Sequence, residues 1–443
     1  MAQFQSRQRI LSILSFPAAF WLTPATHAQQ TAAAASNGWS LHTQATYIDQ
    51  FHDSFPSAYE GPNSFTHESE VEHTFSFSLY LDRELWSGAE LIYNPEIFQG
   101  HGLSQSAGIA AFPNGEAVKA GFANLHYNTS RLFLRQVFGL GGEKEKIEDD
   151  VNQVAGEADI NRITLSVGKF AANDFFDDNA YSDDPRTQFM NLALGESSAW
   201  DYPADVVSFT AGAVVEWNTP TTTLHYGIFM EPTEVDGPRL DYHVNRAYGQ
   251  ILQFDDRYIW NGLHGTVRPF VFWNQAKMGL YSAAAAQPYP ENIASTRAYR
   301  SKEGAGVSWD QELGDDLGIF ARLSWNDGRT ETFAFTEIDR SVATGISLKG
   351  SRWNRPNDVV GLAAAADGLS SDHRHYLEEG GIGLNLGDGR LSYAPEEIVE
   401  IYYAFQPWKW LQISPDYQYI VNPGYNSVRG PVSVYAIRGH VQF

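Results

Sequence analysis

The sequence predicts an all-β fold, a transmembrane antiparallel β-barrel with one irregular segment folded inward, and three observations predict it. The chain closes on an alternating strand that ends in an aromatic residue, Val432-Ser-Val-Tyr-Ala-Ile-Arg-Gly-His-Val-Gln-Phe443. One face of that strand carries Val441, Gly439, Ile437 and Tyr435, and the other carries Gln442, His440, Arg438 and Ala436. This is the apolar-out, polar-in rhythm of a wall between lipid and water. The opposite end of the chain reads as an export signal, and the residues between alternate with period two and show no sustained helical period. The last strand alone fits a soluble sandwich equally well, and the alternation along the whole chain decides between them.

Taken in order, Arg7 and Arg9 precede the apolar stretch Ile10 to Leu22, and Thr26-His-Ala28 precedes Gln29, the three parts of a secretory signal. Residues 1–28 are therefore expected to be removed. Pro17 and Pro24 interrupt the stretch, which falls short of the roughly 20 apolar residues of a spanning helix. Residues 29–37, Ala-rich and polar, are expected to form a mobile or plugging segment, and 38–443 the barrel. Within it Phe75, Phe77, Leu79 and Leu81 alternate with Ser76, Ser78 and Tyr80. Ile163, Leu165 and Val167 alternate with Arg162, Thr164 and Ser166, and Leu224, Tyr226, Ile228 and Met230 oppose His225, Gly227 and Phe229. Two hairpins are expected. Ala305 to Trp309 turns through Gly314-Asp-Asp316 into Ile319 to Trp325, and Val399 to Phe405 turns through Gln406-Pro-Trp-Lys409 into Leu411 to Tyr419. A mature chain of about 415 residues supplies on the order of 16 to 20 spanning strands. A barrel of that size encloses water rather than a packed core.

Composition agrees. Phe, Trp and Tyr number 27, 12 and 22 while only 19% of residues are charged, the mixture expected when lipid-facing and water-facing side chains alternate. There is no cysteine, and a barrel held by a closed ring of backbone hydrogen bonds needs no disulfide. The formal charge is −23, made two units more negative by loss of Arg7 and Arg9, which argues against nucleic acid as a partner. The acidic run Glu143-Lys-Glu-Lys-Ile-Glu-Asp-Asp150 reads as a solvated loop, with a divalent-ion or lipopolysaccharide contact as the alternative.

The stretch from Asp159 to Trp217 contains Arg162-Ile-Thr-Leu-Ser-Val-Gly-Lys-Phe170, Asp174-Phe-Phe-Asp-Asp-Asn-Ala-Tyr181, Asp183-Asp-Pro-Arg-Thr-Gln-Phe-Met-Asn191 and Ala199-Trp-Asp-Tyr-Pro-Ala-Asp205. With Asn94-Pro-Glu-Ile97, Phe112-Pro-Asn-Gly-Glu116, Arg131-Leu-Phe-Leu-Arg-Gln136 and Ser414-Pro-Asp-Tyr-Gln-Tyr-Ile420, it closely resembles the carbohydrate-selective, OprB-type porin family. The resemblance runs in order along nearly the whole mature chain. It implies a 16-stranded porin of the Gram-negative outer membrane that passes small sugars by facilitated diffusion. It does not choose the solute.

Passage of a sugar requires side chains that replace its water hydrogen bonds without holding it tightly. Arg, Asp, Asn and Gln do this for hydroxyls, and Trp and Tyr faces cover the C–H patches of the ring. Residues 179–205 supply these types in one segment: Asp183, Asp184, Arg186, Gln188, Asn191, Trp200, Asp201 and Tyr202. The segment is expected to narrow the lumen, with Arg186 presenting its planar fork and Asp184 or Asp201 orienting it. The same residues would serve equally to pin the segment to the wall, and geometry alone separates the two. Inward positions elsewhere add Arg162, Arg322 and Arg438 on the basic side and Glu216, Glu400 and Asp416 on the acidic side. Facing ladders of opposite sign would set a field across the pore. Trp217, Trp309, Trp325, Tyr403 and Phe443 are expected in the interfacial girdles.

No enzyme activity, cofactor or metal is expected. There is no Cys nucleophile, no His-Glu-x-x-His motif and no phosphate-cradling Gly loop. His225, His264 and His440 are isolated in sequence. The expected partners are outer-membrane lipid, lipopolysaccharide and saccharides in transit, with ions passing as well, and a homo-oligomer is compatible with the sequence. Two alternatives stand: a porin for another small polar or anionic solute, and an exported carbohydrate-processing β-protein, since two carboxyls at suitable separation suffice for glycoside hydrolysis.

Overall fold

Backbone N–H and C=O groups inside hydrocarbon find no water, so a spanning sheet is stable only when its first and last strands pair. Here they do: Gln44 to His52 run antiparallel to Val434 to Gln442, and Thr43 and Phe443 exchange two main-chain hydrogen bonds of 2.9 Å. The structure, a computed structural model, describes residues 38–119, 121–289 and 292–443. The expected signal, 1–28, and the segment 29–37 lie outside the described residues.

The strands are β1 (Trp39–His52), β2 (Glu70–Trp86), β3 (Ala89–Gly100), β4 (Phe122–Gly139), β5 (Lys144–Ile147), β6 (Gly156–Asp159), β7 (Arg162–Phe170), β8 (Thr210–Asn218) and β9 (Thr222–Met230). They continue as β10 (Tyr248–Trp260), β11 (Leu263–Met278), β12 (Ala298–Glu312), β13 (Leu317–Asn326), β14 (Arg340–Gly350), β15 (Arg355–Gly368), β16 (Glu396–Trp408), β17 (Leu411–Val421) and β18 (Val432–Gln442). All but β5 and β6 form one closed antiparallel barrel of 16 strands, each paired with its neighbours in chain order, and β5 and β6 pair with each other. Short helices α1 (Leu192–Gly195), α2 (Tyr281–Ala285) and α3 (Ser371–Glu378) lie in the connections. Both expected hairpins are present, as β12–β13 and β16–β17.

Side-chain parity follows the alternation in the sequence. Ser76, Ser78 and Tyr80 are buried inward on β2, and Arg438 and His440 on β18, whereas Tyr435 and Ile437 face out. Trp39, Trp86, Trp217, Trp260, Trp408, Trp410 and Phe443 are exposed near one rim, where Trp408, Trp410 and Phe443 stack in series at 5.3 and 5.7 Å. Trp325, Tyr419 and Tyr435 are exposed toward the other rim. Indole and phenol rings favour these two depths, where one side of the ring meets lipid and the other water.

The connections are asymmetric. Residues 53–69, 101–119, 171–209, 231–247, 279–289, 292–297, 327–339, 369–395 and 422–431 lie at one end, and turns such as 87–88, 219–221, 261–262 and 409–410 at the other. In outer-membrane barrels the short turns are periplasmic. One connection at that end is long, 140–161, and contains the β5–β6 hairpin. The acidic run Glu143–Asp150 is part of it.

Candidate functional site

Residues 171–209 leave β7 and fold into the barrel, where their backbone groups need partners that water would otherwise provide. Inward side chains of the wall provide them. Arg322 of β13 donates to the Leu194 carbonyl at 2.9 Å and the Asp177 carbonyl at 3.0 Å. Arg438 of β18 donates to the carbonyls of Pro185 (2.6 Å) and Gln188 (2.7 Å). Glu400 of β16 accepts the N–H groups of Met190 (2.6 Å) and Asn191 (2.9 Å), and Asn191 donates to Gln418 of β17 at 3.1 Å. Asp416 accepts a bond from that same Gln418 at 3.2 Å.

At the segment's far end Asp201 pairs with Lys302 of β12 at 2.9 Å, both side chains buried. It also accepts the N–H groups of Phe333, Ala334 and Phe335 in the 327–339 connection. Trp200 is 2% exposed and packs against Phe176, Tyr202 and Phe270. Small inward residues make room for the segment. A Cβ on Gly361 of β15 would fall 2.2 Å from the Tyr402 ring and 2.8 Å from Phe189.

A second connection, 101–121, folds in beside the first. Gly115 N–H bonds the Met190 carbonyl at 2.8 Å and Leu192 N–H the Phe112 carbonyl at 3.1 Å. The Pro113 carbonyl accepts from Gln50 and Gln418. The two segments meet through Arg186, whose Nε lies 2.8 Å from Glu116 Oε1 and whose Nη2 lies 3.4 Å from Glu96 Oε1 of β3. Ser78 donates to Glu96 at 2.6 Å, and Ser76 donates to Glu116.

The anchors just described come from β12, β13 and β16 to β18, while a cavity of about 460 Å³ remains on the opposite side, where Arg131 of β4 also holds the segment. Its wall contributors are Gln44 of β1, Tyr80 of β2, Arg131 of β4 and Gln442 of β18. Val151 and Asn152 from the short-turn end and Asp236 and Leu384 from the long connections line the same cavity. It therefore extends toward both ends of the barrel. Arg131 holds Asp174 with two bonds, of 2.8 and 2.5 Å, and Asn94 with a third of 2.7 Å. The basic groups of the lining are Lys119, Arg131 and Arg186. The acidic groups are Glu116, Asp174, Asp178, Asp183, Asp184, Glu196, Asp205 and Asp236.

Of the residues singled out in the sequence, Asp183, Asp184, Arg186 and Tyr202 line this cavity. Gln188 folds back on its own segment, its amide oxygen 2.6 Å from Asp183 N and 3.3 Å from Asp184 N. Asn191, Trp200, Asp201, Arg322, Arg438, Glu400 and Asp416 are buried in the contacts described above. Arg162 sits at the short-turn rim, bonded to Glu145 and to the Asp159 carbonyl. Glu216 lies on β8, 3.5 Å from His225. The expectation of facing charge ladders is corrected: Glu400, Asp416 and Arg438 stand on β16, β17 and β18, three adjacent strands, and Arg322 and Arg438 both donate to loop carbonyls. Sequence reasoning missed Glu96, Glu116, Lys119, Arg131 and Tyr80. Parity offered a signal for three of them. Tyr80 belongs to the inward row of β2, Glu96 pairs with inward Ser78, and Arg131 alternates with outward Leu132 and Leu134.

Residues 63–443 match the family model described as carbohydrate-selective porin, OprB family. The chain belongs to that family. The porin is 29% identical over 176 residues to Porin B of Pseudomonas aeruginosa, a match covering 37% of each chain, so it spans little more than a third of that relative's length. Its fold is similar to that of OprB from Pseudomonas putida, with a TM-score of 0.69 at 18% identity over 91% of this chain and 94% of that one. It is also similar to the outer membrane channel DcaP of Acinetobacter baumannii, with a TM-score of 0.51 at 10% identity over 92% and 98%. Family and fold mark a channel of the Gram-negative outer membrane rather than an enzyme.

Proposed function

We propose that this porin carries small, uncharged saccharides from the medium to the periplasm by facilitated diffusion, through the passage between its two inward segments and the β1–β4 wall. The observation that carries the reading is the cavity of about 460 Å³ whose lining comes from both ends of the barrel and includes Arg186, Glu116, Asp183 and Asp184. That volume falls in the range of sites that hold a small molecule, roughly 300–1,000 Å³. Charged forks and carboxylates there exchange hydrogen bonds with sugar hydroxyls, and the aromatics Tyr80, Tyr202 and Phe209 are part of the same lining. Most of the fixed charge is acidic, which favours neutral solutes over anionic ones. Lipid surrounds the belt, with lipopolysaccharide against its outer half.

The test is solute flux into liposomes carrying the purified porin. Glucose is expected to enter several-fold faster than a uronate of the same size. Equal rates would remove the preference for neutral sugars, and faster entry of the uronate would support the anionic-solute alternative.

A further inference from the structure

The long connection at the periplasmic end does not hang free. β4 and β7 extend past the rim, with Leu140 N–H bonded to the Asn161 carbonyl and Ile160 N–H to the Glu143 carbonyl, both at 2.9 Å. They then continue into the β5–β6 ribbon. Arg162 clamps the base of that ribbon through Glu145 and the Asp159 carbonyl. Residues 148–155 join its two strands and turn back into the mouth of the barrel. Asp150 and Gln153 bond each other's main chains at 3.1 and 3.3 Å, and Asn152 takes φ +56° to make the turn.

The strap's contacts with the barrel come from inward side chains of the wall. Ser40 of β1 donates to the Asp150 carbonyl at 3.4 Å, and His42 Nε2 lies 3.5 Å from Asp149. Arg135 of β4 donates to the Asn152 carbonyl at 2.8 Å while paired with Glu90 of β3 at 3.2 Å. Val154 is 3% exposed, so the strap is seated rather than swinging in solvent. Val151 and Asn152 line the same cavity as Arg131 and Arg186, together with Gln44 and Gln442. The periplasmic stretch of the lining is thus amide and apolar, where the middle is charged.

We propose that residues 148–155 form a second constriction, at the periplasmic mouth, which screens solutes by size after they clear the charged one. The proposal rests on the channel reading above. Val151, Asn152, Gln44 and Gln442, the strap-side residues that face the cavity, suit a sugar, because they offer hydrogen bonds without a charge of their own that would hold the solute back.

The absence of cysteine from the chain makes a clean test available. Val151→Cys porin, reconstituted in planar bilayers, is treated with a bulky methanethiosulfonate reagent, and labelling is verified by mass. Single-channel conductance is expected to fall about twofold or more, since the adduct occupies a narrow part of the path. Ser87→Cys, in the β2–β3 turn at the same periplasmic end but outside the cavity lining, is expected to be indifferent to labelling. In a second variant Asn-Gly replaces residues 148–155. It is expected to raise conductance about twofold and to admit longer oligosaccharides, with half-block by glucose unchanged. Should that variant fail to give the heat-modifiable band of a folded barrel, Val151→Cys decides alone. A fully labelled Val151→Cys channel with unchanged conductance overturns the proposal. A wild-type protein that does not conduct instead removes the channel reading beneath it.

Discussion

Arg186 Nε and Glu116 Oε1 lie 2.8 Å apart, and this pair joins two connections that leave the barrel at different strands. The guanidinium therefore depends on both loops for its place and faces the cavity that both of them narrow. Arg186→Ala removes the fork and leaves Glu96 and Glu116 without their cation. The expected result in bilayers is a higher salt conductance, a stronger preference for cations, and glucose block weakened about tenfold, the equivalent of one charge-assisted hydrogen bond. Unchanged conductance and block would assign Arg186 to holding the loops alone.

Asp201 anchors in the same way but out of the path. It satisfies Lys302 and three N–H groups at once, so Asp201→Ala orphans a buried ammonium as well as three donors. Loss of one partner of a buried pair costs about 3–5 kcal/mol. The heat-induced gel shift of Asp201→Ala is expected at a lower temperature than that of wild type, with new protease cleavage in residues 327–339. A variant as heat-resistant and protease-resistant as wild type would show that the pair contributes little.

Barrel strands were legible because lipid outside and water inside force a strict two-residue period, as in Ser76, Ser78 and Tyr80 of β2. The inward segments obey no such period. Residues 179–205 drew notice through their mixture of charged and aromatic residues, yet composition alone did not separate Asp183 and Arg186, which face the cavity, from Trp200 and Asp201, which face the wall. Both kinds of site use the same chemistry, and only the direction of each backbone turn distinguishes them. Of the second inward connection only Phe112-Pro-Asn-Gly-Glu116 was singled out, for its family resemblance, and the apolar run Ile109 to Phe112 before it was passed over. Its real signal is that such a run is too apolar for an external loop in water. Arg162 and Arg438 had the right parity, but parity does not say whether a loop will come to claim the side chain.

The acidic excess of the lining carries a pH dependence. Burial pushes the Asp236 carboxyl up to about 6, with Lys119 opposing from 3.7 Å. It is neutral at pH 5 and ionised above pH 7, so the lining gains negative charge across that window. Reversal potentials in a salt gradient are expected to show cation preference rising from pH 5 to pH 7, with a smaller rise in Asp236→Asn. A wild-type profile as flat as that of the variant would mean that Asp236 does not act on permeating ions.

The external loops contain a group that titrates in the opposite sense. His373 of α3 is fully buried, its ring stacked on Tyr281 at 4.1 Å, with Nδ1 3.0 Å from Asp339 and Nε2 3.4 Å from Glu337. Burial alone would favour the neutral ring, but the charge and hydrogen bond of Asp339, with help from Glu337, outweigh it and raise the His373 pKa to about 9. Asp339 is held below its ordinary value: burial pushes it up, and the His373 charge more than offsets this. The cation thus ties the 369–395 connection to residues 327–339. Because the folded value exceeds the unfolded one of 6.5, the stabilisation is fully present below pH 6.5 and is lost as pH rises through about 9. Its size is on the order of 3 kcal/mol. Proteolysis of the external loops on intact barrels is expected to quicken steeply between pH 7 and pH 10. In His373→Gln it should be fast at both ends of that range and nearly flat. A wild-type rate that does not change with pH would mean that the imidazolium does not hold these loops together.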